Sequence, residues 1–212
     1  ASDVYKRQED KTVLLSFGGS LGARRINEVV ADLAAWHVKE RNFTHLHATG
    51  SYGKELFATL SRERGLSGNP HLRVSEYIND MARYLAAADL VISRSGAITI
   101  SELAAAGRAS ILIPSPNVAE NHQYYNALEL ANAGAAVLIE EKDLTSELLI
   151  EKVDELTSDR ATLRNMGIRA KACAHLNSLD KIYVYLMRLM RGELDLSEPV
   201  PDKNEPNSQK TD

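Results

Sequence analysis

The sequence has one cysteine, Cys173, among 212 residues, so no disulfide can form within the chain. A single thiol fits a reducing compartment, and we expect Cys173 to be a small packed residue of a helix rather than a nucleophile. No stretch approaches the roughly 18 apolar residues that a membrane-spanning helix requires, and no signal peptide is visible. These features predict a cytoplasmic protein.

An excess of basic charge is also absent. The formal net charge is −4, and the segment from residue 192 onward accounts for all of it, with six acidic and two basic residues. The neutral remainder lacks the electrostatic footprint of a nucleic-acid-binding protein, so we expect no nucleic-acid partner. We predict a disordered acidic tail at 192–212, which holds three of the six prolines. Residues 1–10 have no strand or helix period and are predicted to be a stub or linker belonging to a longer protein.

Short apolar segments alternate with helical patterns over residues 11–191, which we take as one domain. Continuous apolar strands between helices favour a parallel sheet that is covered on both faces. We therefore predict an α/β fold, a doubly wound, Rossmann-like sheet of six strands with its ligand at their carboxyl ends. The predicted strands are 12–17, 43–48, 72–75, 90–92, 109–113 and 135–139. Helices are predicted up to about residue 39 and at 52–64, 78–88, 97–106, 119–133, 145–157, 159–173 and 178–191.

A glycine-rich turn, GGSLG, follows the first strand and precedes a helix. Glycines allow a tight turn and the close approach of a ligand. The spacing is neither G-x-G-x-x-G nor a Walker A loop, which disfavours a nicotinamide or ATP site. Ser20, beside Gly19, can donate to a phosphate or serve as a turn or cap hydroxyl.

A second turn of small residues, SRSG, follows the fourth strand and also leads directly into a helix. Such a turn directs unpaired backbone N–H groups and the positive end of a helix at one point, which suits a phosphate or diphosphate. Glu102, a turn further along, can reach the hydroxyls of an attached sugar. The alternative is structural: Ser95 caps the helix, or Thr99 and Glu102 form a capping box. Arg94 can pair with a phosphate or with an acidic neighbour.

The fifth strand is followed by a polar segment, PSPN and then ENHQYYN, that can hydrogen-bond sugar hydroxyls without adding charge or can simply be a polar loop. Elsewhere, His45 and His47 face one way on a strand, and we expect a structural role because no further metal ligands are placed by sequence. The last helix is apolar nearly all round and calls for a second surface to bury it. We identify no catalytic base.

Four stretches, in this order, resemble the C-terminal half of the MurG-type N-acetylglucosaminyltransferases. They are FGGSLGARRIN (17–27), SEYINDM (75–81), ISRSGAITISELAAAGRASILIP (92–114) and NHQYYNALELANAGAA (121–136). The resemblance covers roughly residues 12–191. It implies the donor-binding Rossmann-like half of a GT-B fold, with no cofactor and no metal, and with UDP-N-acetylglucosamine as the donor substrate.

The resemblance also implies roles for particular residues. Ser20 resembles the phosphate-contacting serine, the backbone of Ile78 resembles the reader of the uracil edge, and Glu102 resembles the carboxylate that binds the ribose. The resemblance also places the backbone of Ala97, Ile98 and Thr99 at the diphosphate and Gln123 at the donor sugar. Gly19, Arg94, Ser95, Gly96, His122 and Asn126 are possible further binding residues, with the role of His122 left open.

The resemblance implies partners as well. The N-terminal domain is missing from this sequence, and it would carry the acceptor site, the general base and most of the membrane-facing surface. Encoded by the same gene or as a separate chain, it would bring the lipid-linked muramyl acceptor and place the complete enzyme at the cytoplasmic face of the membrane. The alternatives are the donor half of another GT-B enzyme, such as a UDP-N-acetylglucosamine 2-epimerase, and a non-catalytic nucleotide-sugar-binding subunit.

Overall fold

The computed structural model describes residues 11–41 and 43–193, so the predicted stub at 1–10 and most of the predicted acidic tail lie outside the described residues. The chain divides into two compact units, Ala1–Ala174 and His175–Asp212. The domain boundary at residue 191 stays a prediction.

The first unit is built on the predicted six-stranded parallel sheet. The strands are β1 (Val13–Phe17), β2 (Thr44–Ala48), β3 (Leu72–Ser75), β4 (Leu90–Ser93), β5 (Ala109–Leu112) and β6 (Ala136–Leu138). Their order is β3-β2-β1-β4-β5-β6, and every pairing is parallel. The central strand β1 pairs with both β2 and β4, so Leu15 lies beside Leu46 on one side and Val91 on the other. The predicted doubly wound α/β fold is confirmed.

Seven helices belong to this unit within the described residues: α1 (Arg24–Glu40), α2 (Lys54–Glu63), α3 (Met81–Ala87), α4 (Ala97–Ala106), α5 (His122–Asn132), α6 (Ser146–Ser158) and α7 (Arg160–Ala172). Short 3-10 segments lie at Ala119–Asn121 and Glu141–Asp143. Alternate side chains of the strands point to opposite faces, so the sheet divides two apolar clusters. Leu14 and Ile92 pack with α1 and α6, while Leu15 and Val91 pack with α4 and α5.

Two helices begin three residues later than the sequence pattern predicts. Helix α3 begins at Met81 rather than residue 78 because the Asp80 side chain accepts from the Arg83 N–H and caps it. Helix α5 begins at His122 rather than 119 because Glu120 and Asn121 have positive φ values, 51° and 52°, which an α-helix does not admit. The first correction moves the predicted site residue Ile78 from helix into loop, while the predicted site residues His122, Gln123 and Asn126 remain in α5.

The second unit contains helix α8 (Ser178–Met190) in its described part. The helix exposes large apolar side chains, including Leu179 (78% exposed) and Met190 (81% exposed). The prediction that α8 requires a covering surface stays a prediction.

Candidate functional site

The two turns predicted to bind phosphate follow neighbouring strands in the middle of the sheet. Strands β1 and β4 pair directly, yet α1 packs on one face of the sheet and α4 on the other. In an open parallel sheet, the point where successive helices leave to opposite faces opens a crevice at the carboxyl ends of the strands. The expected ligand position and the two turns therefore coincide.

We call residues 18–23, after β1, the glycine turn. The Gly22 N–H donates to the Gly19 carbonyl at 3.1 Å, and both glycines have the positive φ values that disfavour other residues. Within the described chain, the backbone N–H groups of Gly19, Ser20 and Leu21 have no protein acceptor. The turn thus presents three consecutive donors, the arrangement that binds an anion.

We call residues 93–96, after β4, the serine turn. Helix α4 begins directly after Gly96 and has no side-chain cap, so the N–H groups of its first turn are left for a ligand or water. The alternative that Ser95 caps the helix is wrong, because its hydroxyl donates instead to the Gln123 carbonyl at 2.8 Å. The capping-box alternative for Thr99 and Glu102 is also wrong, because the capping position of α4 is Gly96.

The two turns border one cavity of about 520 Å³. Three arginines and one glutamate are the charged residues of its wall, so the cavity carries an excess of positive charge that favours an anionic ligand. Its lining comes from the glycine turn and the start of α1, from the serine turn and α4, and from the loops after β5 and β6. The lining residues that matter here are Gly19, Ser20, Arg24, Arg25, Arg94, Gly96, Thr99, Ser115, Asn117, Gln123 and Glu141.

Six of the predicted site residues line this cavity: Gly19, Ser20, Arg94, Gly96, Thr99 and Gln123. Ala97 and Ile98 form the first turn of α4 beside it, and Glu102 is exposed on the next turn of the same helix. Ile78 lies in the loop between β3 and α3 and is buried. The uracil and ribose roles that the resemblance implies for Ile78 and Glu102 stay predictions.

Three of the possible site residues have structural contacts. The buried Ser95 is held between strand and helix, because its own carbonyl also accepts from Asn126 Nδ2 at 3.1 Å. His122 is exposed, with Nδ1 at 2.9 Å from the Ala119 carbonyl. Ser95 and Asn126 thus support the wall rather than line the cavity.

The Gln123 side chain has a defined direction. Its Oε1 accepts from the Ser115 N–H at 2.9 Å, which ties α5 to the loop after β5. Because the carbonyl end of the amide is engaged by the protein, its nitrogen end is the one left to donate to a ligand.

Arg94 pairs with an acidic neighbour, which sequence reasoning left open. Its guanidinium contacts the Glu141 carboxylate and donates to the carbonyls of Ile113 and Pro114 at 3.2 and 2.9 Å. The Arg94 and Glu141 side chains are only 14% and 23% exposed, so each largely neutralises the other at the cavity wall. Sequence reasoning missed Glu141, although it follows β6 at the same edge of the sheet as the other site segments.

Arg24 and Arg25, also missed, lie on the first turn of α1 immediately after the glycine turn. Arg25 donates to the Leu144 carbonyl at 2.6 Å, and Arg24 forms an ion pair with Glu28 at 2.9 Å. The signal was present in the sequence as consecutive arginines following a phosphate-type turn.

Within residues 11–41 and 43–193, no helix is long and apolar enough to cross a membrane. The same residues include no group of three or more histidine, cysteine or acidic side chains placed to hold a metal ion.

Comparison with known proteins identifies the fold family. Residues 13–181 match the model of the glycosyltransferase family 28 C-terminal domain. The chain belongs to this family. Curated relatives of the family 28 domain include two enzymes named UDP-N-acetylglucosamine–N-acetylmuramyl-(pentapeptide) pyrophosphoryl-undecaprenol N-acetylglucosamine transferase. The chain is 40% identical to that of Acetivibrio thermocellus over 87% of its own length, and 39% identical to that of Desulforamulus reducens over 86%.

The chain spans about half the length of these relatives, 49% and 50%. Among solved structures, the MurG of Acinetobacter baumannii superposes with a TM-score of 0.74 at 30% identity, over 86% of this chain and 51% of that one. A putative UDP-N-acetylglucosamine 2-epimerase from Listeria monocytogenes superposes with a TM-score of 0.69 over 94% of this chain and 50% of that one. Its 14% identity indicates a shared fold alone. The described domain thus has the fold of a GT-B glycosyltransferase domain and covers about half of each of these two solved chains.

Proposed function

We propose that this domain binds UDP-N-acetylglucosamine and is the donor half of an enzyme that transfers N-acetylglucosamine to a lipid-linked muramyl acceptor in peptidoglycan synthesis. The proposal rests on one observation: backbone N–H groups of both turns that have no protein acceptor among the described residues border the same cavity. The names of the curated relatives support the choice of donor and acceptor.

The cavity has the parts that a nucleoside diphosphate sugar requires. The glycine turn and the first turn of α4 offer N–H donors to the two phosphates, and Arg24 adds positive charge at the open rim. Gln123 and Asn117 offer amides to the sugar hydroxyls. Glu102 and the backbone of Ile78 are proposed to bind the ribose and the uracil edge, as the resemblance implies.

In the proposed reaction, the 4-hydroxyl of the muramyl residue attacks the anomeric carbon of the donor with inversion while the bond to UDP breaks. Negative charge develops on the departing diphosphate, and preorganised N–H donors stabilise such charge without reorganisation during the reaction. The general base is assigned to the N-terminal acceptor domain, encoded with this chain or separately. That domain is also proposed to contact the membrane, so that the complete enzyme is peripheral on its cytoplasmic face.

Calorimetric titration of the purified chain tests the donor proposal. We expect UDP and UDP-N-acetylglucosamine to bind and NADH not to bind. Replacing Glu102 with alanine is expected to weaken UDP binding roughly 10- to 100-fold, the value of one or two hydrogen bonds to a charged acceptor. Glu129→Ala, which removes an exposed carboxylate from α5, is the matched control and is expected to leave binding unchanged.

Three results would count against the proposal: no binding of any UDP ligand, binding of NADH, or equal losses in the two glutamate variants. Titration with UDP-glucose tests the sugar specificity of the site. Tighter binding of UDP-N-acetylglucosamine than of UDP-glucose would support the N-acetyl sugar as the one that is transferred. The same preparation should transfer no sugar to a lipid-linked acceptor, because the proposed base lies in the other half of the enzyme.

A further inference from the structure

A chain of buried polar side chains runs between α1 and one face of the sheet and ends at the loop after β2. His37 Nε2 lies 3.1 Å from His45 Nδ1, and the Ser16 hydroxyl lies 2.8 Å from both His45 Nε2 and His47 Nδ1. His47 Nε2 then lies 3.1 Å from Asn27 Oδ1, and Asn27 Nδ2 donates to the Thr49 carbonyl at 3.0 Å. Each of these five side chains belongs to a residue that is at most 1% exposed, so none of them can contact a ligand in the cavity.

The Thr49 carbonyl determines which atom of each hydrogen-bonded pair in this chain carries the proton. A carbonyl only accepts, so Asn27 must direct its amide nitrogen at Thr49 and its oxygen at His47. His47 Nε2 must then carry a proton, which leaves Nδ1 of the neutral ring to accept from Ser16. By the same reasoning Ser16 accepts from His45, and His45 accepts from His37.

The neutrality on which this assignment depends has a physical cause. Burial lowers the pKa of His47 to about 3 and that of His37 to about 4, and burial also lowers the pKa of His45. All three rings are therefore uncharged near neutral pH. At the far end, the bare Nδ1 of His37 has no hydrogen-bond partner among the described residues, so the chain of donors begins there.

The Thr49 end of the chain abuts the glycine turn. The Ser51 and Tyr52 N–H groups donate to the Ser20 and Leu21 carbonyls, both at 3.1 Å. A Cβ atom on Gly22 would overlap the Thr49 carbonyl oxygen, so backbone lies directly on backbone here. These contacts hold the carbonyls of the glycine turn against residues 49–53 and so leave its N–H groups free to face the cavity.

We propose that Asn27 is a positioning residue, which fixes the glycine turn for the diphosphate by anchoring the Thr49 carbonyl and is itself held by His47. The proposal rests on the proposed function, because the diphosphate is its ligand. It gives the buried histidines a role beyond packing: His47 satisfies the Asn27 oxygen in the buried layer between α1 and the sheet, where an unpaired polar group is costly, and the other histidines extend the same chain.

The test is the variant Asn27→Leu, which removes both hydrogen bonds with little change in side-chain size. We expect UDP binding at least 10-fold weaker than wild type, measured at a temperature where both proteins are fully folded. We also expect faster hydrogen exchange at the Ser51 and Tyr52 amides in the absence of ligand, because their acceptors lie on the glycine turn.

His37→Leu is the matched control, because it cuts the same buried chain at the end distant from Thr49. The proton directions are set from the Thr49 end, so this variant should keep UDP affinity within about twofold of wild type and leave the Ser51 and Tyr52 exchange rates unchanged. If Asn27 had only a structural role, Asn27→Leu and His37→Leu would bind UDP equally well when their thermal stabilities are similar.

If Asn27→Leu fails to fold, His47→Leu and His47→Gln replace it. Glutamine can still donate to Asn27 Oδ1, so it is expected to restore the binding that leucine loses. Equal UDP affinity in wild type and Asn27→Leu would overturn the proposal while leaving the proposed function intact. Failure of the wild type to bind UDP would refute the proposed function, and the exchange rates of Ser51 and Tyr52 would still decide whether Asn27 positions the turn.

Discussion

The glycine turn and the serine turn border the same cavity but are held in different ways. The glycine turn is fixed through backbone: its carbonyls accept from Ser51 and Tyr52, and Gly22 packs on the Thr49 carbonyl at a φ of 87°. The serine turn has an ordinary backbone, with Gly96 at a φ of −62°, and is fixed through side chains. Ser95 reaches the Gln123 carbonyl on α5, and Arg94 reaches the loops after β5 and β6.

This difference determines what each turn requires of the sequence. A turn that packs backbone on backbone at positive φ requires glycine, because a Cβ has neither space nor an accessible conformation. A turn held by side chains requires the hydroxyl and the guanidinium that make its contacts, and its glycine is replaceable. The two motifs therefore present N–H groups that are unpaired within the described chain to the same cavity through different residue types.

The largest expected effect is that of Gly22→Ala. The new Cβ would overlap the Thr49 carbonyl at a strained φ, so we expect a loss of about 2–4 kcal/mol in the free energy of unfolding. UDP binding should be lost as well, because the clash separates the glycine turn from residues 49–53. Urea denaturation and calorimetric titration of the same preparations measure the two effects.

Gly96→Ala is the matched control in the serine turn. The nearest atom to its Cβ would be Thr99 Oγ1 at 4.0 Å, and φ is already in a region open to alanine. We expect a change in stability within about 0.5 kcal/mol, the usual range for an unstrained surface position. Equal destabilisation by the two alanines would mean that the turns are not held differently.

The next effect in size is that of Arg94→Met on the serine turn. The substitution leaves the partly buried Glu141 carboxylate and two carbonyls without their donor, which we expect to cost about 2–3 kcal/mol of stability. Chemical denaturation measures the loss.

A double-mutant cycle with Glu141→Gln separates the ion pair from the carbonyl contacts. The double variant should be more stable than Arg94→Met alone, because the uncompensated carboxylate has been removed. Additive losses would show that the ion pair contributes nothing and that Arg94 acts only through the Ile113 and Pro114 carbonyls.

The sequence predicted the fold and the position of the cavity because both depend on local patterns. Apolar runs marked all six strands, and small residues after β1 and β4 marked the crevice. The contacts that hold the turns depend on pairs distant in sequence, such as Asn27 with Thr49 and Arg94 with Glu141, and no local pattern predicts them. The predicted start of α5 was wrong for a related reason. Glu120 and Asn121 have positive φ values, but neither is a glycine, which is the residue that usually indicates such a conformation in a sequence.

The smallest expected effect is a pH dependence that separates the two turns. The glycine turn rests on neutral buried histidines, whereas the serine turn is held by hydrogen bonds of Ser95, Gln123 and Asn126 and by the Arg94–Glu141 ion pair, none of which involves a histidine. An unfolded histidine binds a proton below about pH 6.5, but His37 in the folded protein does so only near pH 4. Between these values the unfolded state binds more protons, so stability that is fully present above pH 6.5 is lost as the pH falls, by about 1.4 kcal/mol per unit for this histidine.

His37→Leu should therefore show a shallower fall in the free energy of unfolding between pH 6.5 and 5 than wild type does, by a slope that approaches about 1.4 kcal/mol per pH unit at the lower end of this range. This range avoids Asp32. Burial raises the pKa of that carboxyl, but hydrogen bonds from Arg64 and Ser146 outweigh burial and lower it, so Asp32 acts only at more acidic pH. At pH 5.5, hydrogen exchange should be accelerated more at the Ser51 and Tyr52 amides, which donate to the glycine turn, than at the Ile113 amide, which donates to the Ser93 carbonyl of the serine turn. Parallel pH curves for wild type and His37→Leu would mean that burial does not lower the pKa of His37 in the folded protein, and the predicted pH dependence would then be wrong.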